Sequence, residues 1–129
     1  MNEELKIIIQ YRLDKAEETL SDTQVLFDLE KFGSCINRLY YAAFYSLNAL
    51  LLSHNLTSKT HKGVRNLFLI EFVNKGLIAK EWSTFYSLLF NSRMECDYKD
   101  LYVPDPEIIR EWLDKSYQFL DLIKGLIKF

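Results

Sequence analysis

Residues 34–54 read SCINRLYYAAFYSLNALLLSH, and this stretch decides the fold. It contains no glycine or proline, and Ile36, Leu39, Tyr40, Ala43, Leu47, Leu50 and Leu51 recur at spacings of three and four. That is the period of a helix with one broad apolar face, not the alternation of a strand. Ser34 can serve as N-cap, and Gly33 just before it is the expected turn from the preceding segment. A second feature rides on the same helix. At about 100° per residue, Asn37, Arg38, Tyr41, Tyr45 and Asn48 fall within roughly a quarter of the circumference, beside the leucine-rich face. A partly wetted face, on which tyrosines cover neighbouring helices and keep their hydroxyls in water, is one reading of this stripe. A binding site or dimer interface is the other.

Working outward, residues 3–30 place Leu5, Ile9, Leu13, Ala16, Leu20, Thr23 and Phe27 on one helical face. After a polar loop at 55–59, a shorter helix is expected from Thr60, with Val64, Leu67, Phe68 and Phe72 inward and Gly76 as its C-cap. A fourth helix over 79–98 should bury Trp82, Phe85, Tyr86, Leu89 and Cys96. Past a loop at 99–104, Asp105 caps and Pro106 opens a last helix whose core stripe is Ile109, Leu113, Ser116, Leu120, Ile123 and Ile127. Four long helices and one short one, joined by short loops, predict an all-α, up-and-down antiparallel bundle. At 129 residues, 1–129 is expected to be a single domain.

Composition narrows the function classes. Apolar residues at 49% and charged residues at 26% place the chain among folded globular proteins rather than disordered or fibrous ones. Its apolar runs are too short to cross a bilayer, so no membrane role is expected. The acidic opening Met1, Asn2, Glu3, Glu4 lacks the pattern of a secretory signal, and a cytoplasmic protein is the expectation. Cys35 and Cys96 stand far apart, outside any metal or redox motif, and read as reduced thiols. With 16 basic against 18 acidic residues, any contact with RNA must use a local patch.

Two further groups exceed the needs of a bundle. Arg93 and Asp97 lie four apart on the side of Tyr86, Leu89 and Phe90, so a charged pair continues an apolar face. With the base preceding the acid, the order is the weaker one for a helix, and stability alone explains the pair poorly. The segment Ser58, Lys59, Thr60, His61, Lys62, Gly63, Val64, Arg65 gathers cations and a histidine at a helix start, where free backbone N–H groups can hold a phosphate. Lys62 and Arg65 have the plainer reading of facing water. His61 has no second histidine or cysteine at ligand spacing, so neither a metal nor another cofactor is expected. Familiar phosphate-loop, zinc-protease, hydrolase and calcium-loop patterns are absent.

The run Asn37-Arg38-Leu39-Tyr40-Tyr41-Ala42-Ala43-Phe44, followed by Ser58-Lys59-Thr60-His61-Lys62-Gly63-Val64 and by a helix ending at Arg93, Asp97 and Tyr98, resembles the HEPN superfamily. The likeness spans nearly the whole chain and is closest to small stand-alone prokaryotic members. It implies a bundle that pairs as a homodimer around a groove for nucleotides or RNA. Many relatives are metal-independent endoribonucleases of toxin–antitoxin or defence systems, often partnered by a small nucleotidyltransferase antitoxin. Their cleavage motif is an arginine followed a turn or so later by a histidine. Arg93 matches the arginine, but Met94 to Asp100 contain no histidine, and none follows.

Three readings follow from the resemblance and the residues together. The preferred one is a nucleotide- or RNA-binding domain with a degenerate cleavage motif, using Arg38, Tyr41, Tyr45, Lys59, His61, Arg93 and Tyr98. The second is an endoribonuclease toxin with a rearranged site of Arg93, His61 and Asp97, which requires folding or dimerisation to bring His61 to Arg93. The third is an interaction or dimerisation module with no small ligand, anchored by the tyrosines.

Overall fold

The structure, a computed structural model describing residues 1–129, is all-helical. Its elements are α1 (Glu3–Asp28), α2 (Phe32–Ser53), α3 (His61–Phe68), a π-helical turn (Leu69–Val73), α4 (Lys80–Tyr98) and α5 (Pro106–Leu126). Helix α2 is the central member. It packs against α1 and α5 on one side and α3 and α4 on the other. Its residues Cys35, Ile36, Leu39, Tyr40, Ala42, Ala43, Leu47, Ala49, Leu50 and Leu51 all belong to the buried core. No helix is long and apolar enough to cross a membrane.

Helix ends follow local chemistry. Asn2 caps α1 by accepting the amide of Leu5 at 2.8 Å, and Asp105 caps α5 by accepting that of Glu107 at 2.9 Å, with Pro106 in the first helical position. The stripe of α5 is buried as expected at Ile109, Leu113, Ser116, Leu120 and Ile123, with Ile127 just past the helix end. Thr19 and Thr23, polar in the core face of α1, satisfy their hydroxyls by donating to the carbonyls of Lys15 and Thr19.

Three expectations need correction. The third helix does not run to Gly76 as its C-cap: α3 passes into the π-helical turn at Leu69, that turn ends at Val73 with Asn74 as its cap, and Gly76, φ 77°, lies in the turn beyond. The chain reverses before Gly33, which with Ser34 lies in the first turn of α2. Glu30 takes the left-handed conformation, φ 58°, and the amides of Glu30 and Lys31 bond back to Phe27 and Leu26. Phe32 then packs edge-on against Phe27 at 5.6 Å. These bonds and this contact close α1 in a Schellman turn that needs no glycine. On α4, Phe85, Tyr86 and Leu89 are buried, but Trp82 and Cys96 are only half-buried at the edge of the core, Trp82 packing against Phe85 and Phe119.

Candidate functional site

Tyr40 organises the residues that exceed the needs of a bundle. It is fully buried, and its hydroxyl lies 2.6 Å from His61 Nδ1 and 3.4 Å from the Tyr86 hydroxyl. A phenol in a core must find a polar partner, and here it finds two. Three elements converge on it. Helix α2 brings Tyr40, Tyr41 and Phe44, the start of α3 brings His61, and α4 brings Tyr86, Phe90 and Arg93.

His61 is held from several directions. Thr60 caps α3 by accepting the Gly63 amide at 2.9 Å, which makes His61 the first helical residue. A Cβ at Gly63 would collide with Ser58 Oγ and come within 2.8 Å of Thr60 Oγ1, so a larger residue there has to displace the side chains that form the cap. The imidazole stacks on Phe44, with centroids 4.3 Å apart. Burial, and then the neighbouring charge of Arg93, push its pKa below the ordinary value, so the ring is neutral at neutral pH. Burial likewise raises the pKa of Tyr40 and Tyr86, and both stay phenols. When Tyr86 donates to Tyr40 and Tyr40 to Nδ1, the proton of the neutral imidazole sits on Nε2, which is then a donor.

Arg93 lies across the aromatic wall, its guanidinium carbon 4.7 Å from the Tyr40 centroid, 5.7 Å from Phe90 and 5.8 Å from Tyr41. Its polar contacts are long: Nη1 donates to the Tyr41 hydroxyl at 3.5 Å, and Nη2 lies 3.5 Å from Met94 Sδ. Its Nε is buried without a partner. No carboxylate pairs with it.

The fold therefore brings Arg93, His61 and Tyr41 together within one chain. Arg38 borders them, bonded to Asn37 Oδ1 at 2.7 Å through Nη2 and lying 5.3 Å from the Tyr41 centroid. Tyr45 sits a turn further on, beside Tyr41 and under Lys15 of α1 at 4.9 Å. Lys59, Asp97 and Tyr98 stand outside the cluster as exposed residues. Asp97 makes no ion pair with Arg93, contrary to the expected pairing on one face. Long side chains on a helix lean toward its N-terminus, so Arg93 reaches back over Phe90 and away from Asp97. Sequence reasoning placed Tyr40 and Tyr86 in the core without a further role, and left Arg65 in water. Arg65 is half-buried, 5.0 Å from the Phe90 centroid. A signal for the tyrosines was present: a hydroxyl at a core position of each of two helices.

Chemically, the cluster offers a fixed cation without an acid, a neutral imidazole anchored through one nitrogen, and aromatic faces. It contains no cluster of ligands suited to a metal ion. The fold and cluster together define an all-helical bundle with an arginine and a histidine gathered on a buried tyrosine. Residues 9–126 match the HEPN domain family. The chain is 41% identical over 128 residues to a UPF0332 protein of Thermotoga maritima, covering 99% of this chain and 96% of that one. It is 34% identical over 128 residues to a Methanocaldococcus jannaschii protein named "Putative toxin MJ0605", covering 99% and 95%. A second protein of that organism, "Putative toxin MJ0142", is 30% identical over 112 residues, covering 87% and 76%. The chain belongs to the HEPN domain family.

Proposed function

We propose that the cluster around Tyr40 binds a phosphate of a nucleotide or of RNA, with Arg93 supplying the charge, His61 a hydrogen bond and Tyr41 a face for a base. The observation that carries this reading is Arg93. Its Nε is buried with no partner, and no carboxylate neutralises its guanidinium. A partly desolvated cation left unpaired is costly, and a bound anion removes that cost while using the planar fork that guanidinium presents to phosphate. Arg38 adds positive charge at the edge of the same surface. Asp97 and Tyr98 have no part in it.

Fluorescence anisotropy with a labelled single-stranded RNA at low salt tests this. Binding is expected to weaken steeply as salt rises, and Arg93→Ala to cost about tenfold in affinity or more, the scale of a lost charge-assisted hydrogen bond. Absence of binding by the wild type, or unchanged affinity in Arg93→Ala, contradicts the proposal.

A second reading, a metal-independent endoribonuclease of toxin type, draws on one further observation. His61 and Arg93 lie against the same Tyr40 ring, although they are far apart in sequence. In the other tautomer of the neutral ring, with Nδ1 donating to the Tyr40 hydroxyl, Nε2 carries no proton and suits removal of a 2′-hydroxyl proton, while the guanidinium suits the charge that develops on the phosphate. The two similar Methanocaldococcus proteins carry toxin names. Total RNA incubated with protein in chelator should then show cuts that disappear in both Arg93→Ala and His61→Ala. Cuts that persist in both variants, or none from wild type, count against it.

A further inference from the structure

We infer that the groove between α3 and α4 is a second nucleotide subsite, so that the ligand of the Arg93 cluster is a strand of RNA rather than a mononucleotide; this rests on the phosphate-binding reading above. The groove has a volume of about 380 Å³ and is lined by Arg65, Asn66, Ser83, Thr84 and Ser87 over an apolar floor that includes Leu69. No acidic residue lines it, and Arg65 makes no ion pair. Its Arg65 also meets Phe90 of the Tyr40 cluster, whose ring has Arg65 at 5.0 Å and Arg93 at 5.7 Å. Two arginines without carboxylate partners thus approach one aromatic side chain, so that a single backbone has two cations available for its phosphates.

The remaining groups sort by what they can offer. Arg65 supplies charge and Asn66 an exposed amide. Ser83 donates its hydroxyl to the Lys80 carbonyl at 2.8 Å and Thr84 donates to the same carbonyl at 3.5 Å, which leaves both oxygens as acceptors for ribose hydroxyls or base N–H groups. Ser87 makes no hydrogen bond within the chain and is free to donate to a phosphate oxygen. Leu69, 39% exposed, gives a base an apolar surface.

Isothermal titration at low salt with adenosine monophosphate and with an oligoadenylate octanucleotide tests the assignment. The expected result is an octanucleotide bound about tenfold or more tighter than the mononucleotide, the scale of one further stacked base and phosphate contact. Arg65→Ala should remove most of that gain while leaving mononucleotide affinity unchanged. Thr84→Glu, a change at an exposed position near the start of α4 where an acid suits the helix dipole, should do the same without threatening the fold. Equal wild-type affinity for the two ligands, or octanucleotide binding untouched by both variants, overturns the subsite and leaves the Arg93 reading standing. If neither ligand binds wild type, both fall together.

Discussion

Tyr40 links the core to the candidate site through a single side chain: its ring is wholly buried, yet its hydroxyl joins the imidazole of His61 to the phenol of Tyr86. The position of Arg93 next to this chain has a measurable consequence. His61 titrates below the ordinary 6.5, first because it is partly buried and second because of the Arg93 charge. Arg93→Ala is therefore expected to raise the His61 pKa, read from imidazole chemical shifts across a pH series. The sign for stability follows from the same shift. The unfolded chain takes up the proton near pH 6.5 and the folded chain only at lower pH, so the contribution of His61 is full above that value and is lost as pH falls through the folded pKa. Urea unfolding from neutral pH down to about pH 5 should show a decline that is smaller in Arg93→Ala. Cys35 provides an independent residue-level check. Burial pushes its thiol up to about 11, and it is fully enclosed, so alkylation at pH 8 should reach Cys96 much sooner than Cys35 in the folded protein.

Among the elements, α3 has the most to do with the site for its length. Its eight residues begin at the Thr60 cap, and the cap fixes where the His61 ring meets Phe44 and Tyr40. Thr60→Ala should cost about 1 kcal/mol in stability, the usual range for a lost cap. Gly63→Ala should cost more, because the added carbon collides with both Ser58 and Thr60. Chemical denaturation measures both, and equal stability of the three proteins would contradict this account of the cap. The helix boundaries also mark where sequence patterns stop being informative. The Asp105 cap with Pro106 behind it, and the start of α3 near Thr60, could be read directly because the residue types required by their geometry were present, whereas Gly76, φ 77°, lies in the turn beyond a helix end that Asn74 caps. The turn between α1 and α2 could not. There Glu30 occupies a left-handed position usually given to glycine, stabilised by the Phe27–Phe32 contact and two backbone bonds, while the actual glycine lies inside the next helix.

For the molecule as a whole, the bundle was legible and half of the site was not, for one physical reason. A core stripe is a property of a single helix, so the periodicity of α1, α2 and α5 predicted their buried faces without knowledge of the partner. The meeting of Arg93 and His61 depends on how α3 and α4 cross α2, and spacing along the chain carries no such information. Nor does it show that Arg93 leans toward Phe90 and Tyr40 instead of Asp97, or that Arg65 lies against the same ring. The HEPN match over residues 9–126 establishes the family but leaves this arrangement to the chain's own residues, since no histidine follows Arg93. Whether the Tyr40 cluster receives a phosphate is tested most directly by nuclear magnetic resonance, adding a short single-stranded RNA to isotope-labelled protein at low salt. Saturable shifts of the buried Arg93 Nε–H and the His61 ring are expected, together with a rise in the His61 pKa as the anion offsets the arginine charge. Saturable binding that leaves both signals unmoved, or no binding at all, contradicts it.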